Sequence, residues 1–289
     1  MARTVRTIGN PVSWTVHLLN GALAHGADTA RAVAGHDTAL RPHIRDLTLA
    51  DLRFALKRGL ADLVAFRSDA VFLCLIYPLT GLALGWMVIR GDLFHLLVPV
   101  VAGFALLGPM AAIGLYEMSR RRERGRPANW ASAFRMIENP RFGAIVFLAL
   151  LHMVIFAMWI MLADAIHAAT LGSGATSSLS EFLRAMTTPA GMEMALLGGA
   201  VGFAFAVMVL AFSVVSFPML LDRDVGLITA VSTSVRVAIH NPAVVAAWGI
   251  LVAALLFLGS VPLLIGLVFV VPLLGHASWH FYRRAVAWE

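Results

Sequence analysis

Residues 225–284 read VGLITAVSTSVRVAIHNPAVVAAWGILVAALLFLGSVPLLIGLVFVVPLLGHASWHFYRR, and the rest of the chain repeats the devices used there. An amphipathic run from Val225 to Ile239 ends at Asn241-Pro242, where Asn can cap a following helix and Pro fits its first turn. Ala243 to Leu258 is uncharged, Gly259-Ser260 interrupts it, and Val261 to Ala277 is apolar again before His280, Tyr282, Arg283 and Arg284. A single helix of about forty residues would reach about 60 Å, twice the hydrocarbon core of a bilayer. The stretch therefore predicts a surface helix, a corner, and a two-helix membrane hairpin turning at Gly259-Ser260.

Composition extends that reading to the whole chain. With 289 residues, 60% of them hydrophobic and 13% charged, the sequence is too apolar for a soluble domain of its length. The expected class is all-α, a polytopic membrane helical bundle. Met1 to Asn10 is followed by His17, Asn20, His25 and Asp28, so no signal-peptide core is expected there. The lone Cys74 excludes an intramolecular disulfide and sits in an apolar run, facing lipid or packed. The net charge of +6 comes from basic residues flanking the apolar segments, which speaks for membrane topology and against nucleic acid.

Taken in order, residues 1–47 form an N-terminal surface segment and residues 48–289 a six-helix membrane domain. Asn10-Pro11 opens a weakly amphipathic run to about Val33. Thr48 and Asp51 have capping-box spacing, and Leu52, Leu56, Leu60 and Leu63 make a stripe opposite Arg53, Lys57 and Asp62, predicting a helix lying on the membrane surface. The spans are expected at 70–89, 93–116, 143–163, 195–221, 243–258 and 261–277. Between the third and fourth, Ser178 and Glu181 cap a small amphipathic helix. All but two of the 22 Lys/Arg, Arg90 and Arg184, then fall on one side, which should be cytoplasmic together with both termini. Trp86 and Trp159 are expected at the outer interface, and Tyr116, Trp130, Trp279 and Tyr282 at the inner one.

Written as units, the chain gives surface helix, corner, span, span three times, with corners at Ser68-Asp69, Asn139-Pro140 and Asn241-Pro242. This threefold internal repeat makes three helical hairpins, each preceded by an amphipathic surface helix. The second span of each unit carries a proline followed by polar residues on the same face: Pro109 with Glu117, Pro218 with Asp222, Pro272 with His276 and His280. Glu117, Asp222, His276 and His280 are thus candidates for a polar cluster at the cytoplasmic mouth; the plain alternative is that each ends its helix at the headgroups. His152 falls near mid-bilayer and is a candidate polar site there, as a haem or copper ligand or, more plainly, as a hydrogen-bonded core histidine. Arg120, Arg121, Arg122, Arg124 and Arg126 are candidates for lipid or partner contact, beside their role as a topology signal. Gly198, Gly199 and Gly202 give the fourth span a small-residue face for close helix contact. No catalytic residues, no cofactor and no metal site are expected, because neither a nucleotide loop nor a nucleophile motif occurs.

Ser213 to Asp224 (SVVSFPMLLDRD), the Ser234 to Pro242 block, the Trp248 helix and Pro272 to Tyr282 (PLLGHASWHFY) resemble bacterial predicted integral membrane proteins grouped as domain of unknown function 2189. Thr48 to Asp62 also fits, so the resemblance spans roughly residues 45–285. It implies the bacterial inner membrane and brings no established activity. Some similar sequences bear a cytochrome c oxidase label, which implies association with a respiratory complex, although the histidine-rich helices of the catalytic subunit are missing. The expected function is a non-catalytic accessory or assembly factor working by contact with a membrane partner, a respiratory oxidase or a second copy of itself. The alternative is a small-solute or ion transporter or channel built on the carboxylate/histidine cluster.

Overall fold

The computed structural model describes residues 41–91, 93–139, 141–172 and 179–288. The run to Val33, with His17, His25 and His36, lies outside the described residues, as do Pro140 and Ser178. The elements in order are β1 (Pro42–Ile44), α1 (Leu49–Ala65), α2 (Arg67–Cys74), α3 (Ile76–Arg90), a 3-10 turn (Phe94–Leu96), α4 (Leu97–Leu106), α5 (Gly108–Ala111) and α6 (Ile113–Glu123). They continue with α7 (Trp130–Ala133), a second 3-10 turn (Phe134–Glu138), α8 (Phe142–Thr170), α9 (Leu179–Ala185), α10 (Pro189–Ser213) and α11 (Ser216–Asp222). The last are α12 (Leu227–His240), α13 (Pro242–Ser260), α14 (Leu267–Ala285) and β2 (Val286–Trp288).

Among the described residues, three helical stretches are long and apolar enough to cross a membrane: α8, α10 continued through α11 (Pro189–Asp222), and α13. Large apolar side chains such as Met161, Leu196, Phe203, Ile250 and Phe257 stand exposed on them, as a lipid-facing surface requires. The first two expected spans are broken into shorter pieces. Residues 67–90 divide between α2 and α3, and residues 94–123 between a 3-10 turn and three helices. Proline lacks the amide that continues a helix, and Pro109 lies in the short segment between the breaks at Leu107 and Ala112. Pro218 likewise follows the break at Val214 and Val215, where the Ser234 hydroxyl of α12 accepts from the Val215 amide at 3.3 Å. Pro272 is accommodated inside α14.

The last hairpin turns later than Gly259-Ser260. Helix α13 runs through Ser260, and the reversal occupies residues 261–266, with Leu263 and Leu264 at φ of 50° and 65°. This left-handed region is unfavourable for leucine by about 1–2 kcal/mol per residue. The two arms meet at glycine: a Cβ on Gly266 would lie 2.7 Å from the Gly259 carbonyl oxygen.

The core sits at one end of the bundle, called here the basic end. There α6, α11 and the second half of α14 pack against one another, with α1 laid along α14 and α12 against α11. Phe217, Met219, Leu220, Leu221, Phe281 and Tyr282 are at most 1% exposed. Each such apolar side chain contributes roughly 1.5–3 kcal/mol relative to exposure. Tyr116, Trp279 and Tyr282 belong to this core, where Trp279 Nε1 and the Tyr282 hydroxyl find acceptors inside the protein. Trp159 is also inside, stacked on Phe205 with ring centroids 6.2 Å apart, whereas Trp86 and Trp130 are exposed. Cys74 is buried. Of the three glycines expected to give α10 a small-residue face, Gly202 packs against Trp159, while a Cβ on Gly198 or Gly199 would meet nothing within 4 Å.

Helix α1 turns inward a different face from the expected one. Its buried positions are Asp51, Leu52, Ala55, Gly59 and Asp62, and Leu60 is half exposed. The inward face is therefore rotated from the leucine stripe toward its small residues. A Cβ at Gly59 would lie 2.6 Å from the Ala277 nitrogen, so α1 and α14 cross at backbone contact. Thr48 and Asp51 do pair, the Asp51 carboxylate accepting from the Thr48 amide at 2.9 Å and its hydroxyl at 2.8 Å.

Two further contacts tie the ends of the described chain together. Strand β1 pairs antiparallel with β2, Pro42 opposite Trp288 and Ile44 opposite Val286. Asn241 occupies the N-cap position of α13, yet its side chain makes no cap. Instead Oδ1 accepts from the Leu47 amide at 2.7 Å and Nδ2 donates to the Arg45 carbonyl at 3.1 Å. At the opposite end of the bundle, His95 Nε2 lies 2.9 Å from Asp164 Oδ1, and the His95 and His167 rings stack at 3.9 Å.

Candidate functional site

The Gly59–Ala277 crossing sets the chemistry one turn further along α1. Asp62, three residues after Gly59, is carried against His276 and His280, which flank Ala277 at helical spacing. Its Oδ2 accepts from the Ser119 hydroxyl at 2.6 Å and from His280 Nε2 at 2.8 Å, and Oδ1 accepts from the Arg122 guanidinium at 2.7 Å. Since the Ser119 proton goes to Asp62, the serine oxygen faces His276 Nδ1, 2.8 Å away, as acceptor, which makes Nδ1 the protonated nitrogen. Asp62, Ser119, His276 and His280 are all at most 6% exposed. Burial by itself raises the Asp62 pKa, but the bonds from His280 and Ser119 and the nearby positive charge outweigh it and hold the carboxyl below its ordinary value. Asp51, whose carboxylate also receives the Arg284 guanidinium, is lowered in the same way against its burial.

A second group lies across α6. Glu117 is 2% exposed and accepts from Arg121 Nε at 2.8 Å, with Arg120 Nε 2.9 Å from its other oxygen. Asp222 receives Arg124 at 2.8 Å, the Tyr282 hydroxyl at 3.0 Å and, more distantly, Arg283 at 3.5 Å. Arg120 also donates to the Leu221 carbonyl, and Arg141 pairs with Asp224. Glu123 accepts from Trp279 Nε1 at 2.9 Å and from Arg283 at 3.0 Å. Between α6, the 134–139 segment and the end of α11, a pocket of about 370 Å³ opens, with Glu117 and Asp222 in its wall.

The four residues expected to form one cluster thus fall into two pairs on either side of α6: His276 and His280 with Asp62, Glu117 and Asp222 at the pocket. Of the five clustered arginines, Arg120 and Arg121 line the pocket, Arg122 binds Asp62, Arg124 binds Asp222, and Arg126 is exposed. His152 stands alone. Its Nδ1 faces the Leu148 carbonyl of its own helix at 2.8 Å, and its ring packs on Phe217 with centroids 5.2 Å apart. Among the described residues, no three His, Cys, Asp or Glu side chains are arranged to hold a metal ion. Sequence reasoning missed Asp62, Ser119 and Arg141. The available signal for Asp62 was its spacing from Gly59, matched by Gly275 and Ala277 around His276.

Residues 96–222 match the family model described as predicted integral membrane protein (DUF2189). This segment is of that family. It contains α8, α10 and α11, two of the three long apolar stretches, together with α6 and Glu117, Ser119 and the arginines. The protein is accordingly an integral membrane protein. Of the blocks that carry the resemblance, Ser213 to Asp222 lies inside the matched segment, and those after Asp222 lie outside it. No curated protein and no solved structure matches the chain.

Proposed function

We propose that the protein is a non-catalytic, multi-pass protein of the bacterial inner membrane that acts by contact, as an accessory or assembly factor for a membrane partner. The observation that supports this most is the engagement of its polar side chains with one another. Asp62 has three donors, Glu117 two guanidiniums and Asp222 four partners, Arg124, Arg223, Arg283 and the Tyr282 hydroxyl, so these three carboxylates are occupied in holding helices together. A respiratory oxidase is the partner suggested by the resemblance.

Six crossings are part of this reading. Strands β1 and β2 are paired, so the chain leaves and returns on one side of the bilayer, and the number of crossings between them is even. The three long stretches need at least one more, supplied by the apolar first half of α14, and the packed pair α3 and α4 completes three hairpins. The convergence of the three proline-marked ends, α6, α11 and α14, favours a threefold arrangement of those hairpins. The basic end, with nearly all the arginines, faces the cytoplasm.

The test is purification of the tagged full chain from its native membrane in mild detergent, mass spectrometry of co-purifying chains, and flux assays on reconstituted vesicles. The contact reading expects a membrane partner in fixed ratio and vesicles no leakier than empty ones. A chain that comes alone and conducts a solute or ion would overturn it in favour of a transporter.

A further inference from the structure

The pocket at the basic end has more positive charge than its own carboxylates neutralise. Arg120, Arg121, Arg135, Arg141 and Arg223 all line it. Glu117, Asp222 and Asp224 are the carboxylates among the lining residues, which leaves a formal excess of two positive charges. The carboxylates also act as braces: Glu117 fixes the guanidiniums of Arg120 and Arg121, and Asp224 that of Arg141, so several donors are oriented before any ligand arrives. Arg135 is exposed and forms no ion pair among the described residues.

The pocket's height in the membrane follows from its neighbours. Arg141 directly precedes the first apolar turn of α8, and the exposed Trp130, Phe134 and Ile137 bracket Arg135. Such a mixture of aromatic, apolar and basic side chains belongs at the headgroup layer. At about 370 Å³ the pocket is at the lower end of the roughly 300–1,000 Å³ usual for small-ligand sites.

From this geometry we infer that the pocket binds a phosphate ester, held by the braced arginines and closed over by Arg135. Guanidinium forks match phosphate oxygens in bidentate geometry, and a monoanionic or dianionic phosphate would neutralise the excess. The phosphate can come from an anionic lipid headgroup entering from the bilayer or from a soluble phosphate entering from the aqueous side. The inference is independent of whether the protein acts by contact or by transport.

The test is calorimetric titration of the delipidated full chain in detergent with short-chain phosphatidylglycerol, short-chain phosphatidylcholine and inorganic phosphate. Phosphatidylglycerol should bind at least about tenfold more tightly than the zwitterionic lipid. Arg135→Ala should weaken it about fivefold, the value of one basic residue at a membrane surface. Arg126→Ala, on an exposed arginine outside the pocket, should change it less than twofold, with circular dichroism showing both variants folded. Competition by inorganic phosphate would assign the site to soluble phosphates, and its failure to compete would assign it to lipid. Equal binding of the two lipids, or equal losses in the two variants, would overturn the inference by reducing the arginines to a diffuse basic surface.

Discussion

Replacing Asp62 by alanine is the substitution that most directly examines the buried junction of α1, α6 and α14. It removes three hydrogen bonds of 2.6, 2.7 and 2.8 Å to Ser119, Arg122 and His280. Bonds to a charged group contribute about 1.5–3 kcal/mol each. The Arg122 bond counts least, because that side chain is 43% exposed and solvent screens it. His280 and Ser119 stay buried without their acceptor, and breaking a buried ionic pair costs about 3–5 kcal/mol. That magnitude suits the whole site, since the three bonds share one carboxylate and are not additive. For a chain of this length it corresponds to a Tm lower by roughly 10 °C, read by tryptophan fluorescence of the purified protein during heating. Asp62→Asn keeps the shape and one acceptor and should lose about half as much. In a double-mutant cycle, Asp62→Ala and His280→Ala should show coupling of at least about 1 kcal/mol. A Tm change under 2 °C for Asp62→Ala, or additive losses in the cycle, would refute the junction.

The pH dependence has a defined sign. The Asp62 pKa is lower in the folded protein, so its contribution is complete above the ordinary carboxyl value of about 4 and is lost as pH falls through the lower folded value. The wild-type Tm should therefore fall more steeply below about pH 4 than that of Asp62→Asn, and parallel curves would contradict this. Gly59→Ala would ordinarily stabilise a helix interior by about 1 kcal/mol, but the added Cβ at 2.6 Å from Ala277 should make it net destabilising by about 1–2 kcal/mol. A rise in Tm would place α1 elsewhere. Asn241→Ala leaves the Leu47 amide without its acceptor and should cost about 1–3 kcal/mol, with faster hydrogen exchange at Leu47.

The sequence reading succeeded where length and apolarity suffice. The stretches at 142–170, 189–222 and 242–260 are long apolar runs with few charged residues, bounded by polar corners, and no tertiary information is needed to see them. It failed where a side chain's role depends on a distant partner. In α1 the leucines draw the eye, yet the inward face is Ala55, Gly59 and Asp62, because α14 offers a small-residue face of its own at Ala277 and two histidines for the aspartate. Trp279 and Tyr282 have the composition of an interfacial belt, but Glu123 and Asp222 accept their polar hydrogens within the fold. Asn241 was legible as a helix-start residue, although its amide bonds to Arg45 and Leu47 nearly two hundred residues away. The candidate site was half visible for the same reason: His276 and His280 stood out at helical spacing, while Asp62 looked like part of a solvated face.

One end of the bundle gathers both ends of the described chain, and the histidine pair His95 and His167 lies at the other. Single cysteines introduced at Asp46, Asp164 and Ala287 in a Cys74→Ser background can be probed with a membrane-impermeant thiol reagent on intact and opened cells. Positions 46 and 287 should both be labelled only after opening, and position 164 in intact cells. Labelling of 46 and 287 from opposite sides would contradict the paired strands, the even number of crossings and the junction built on them.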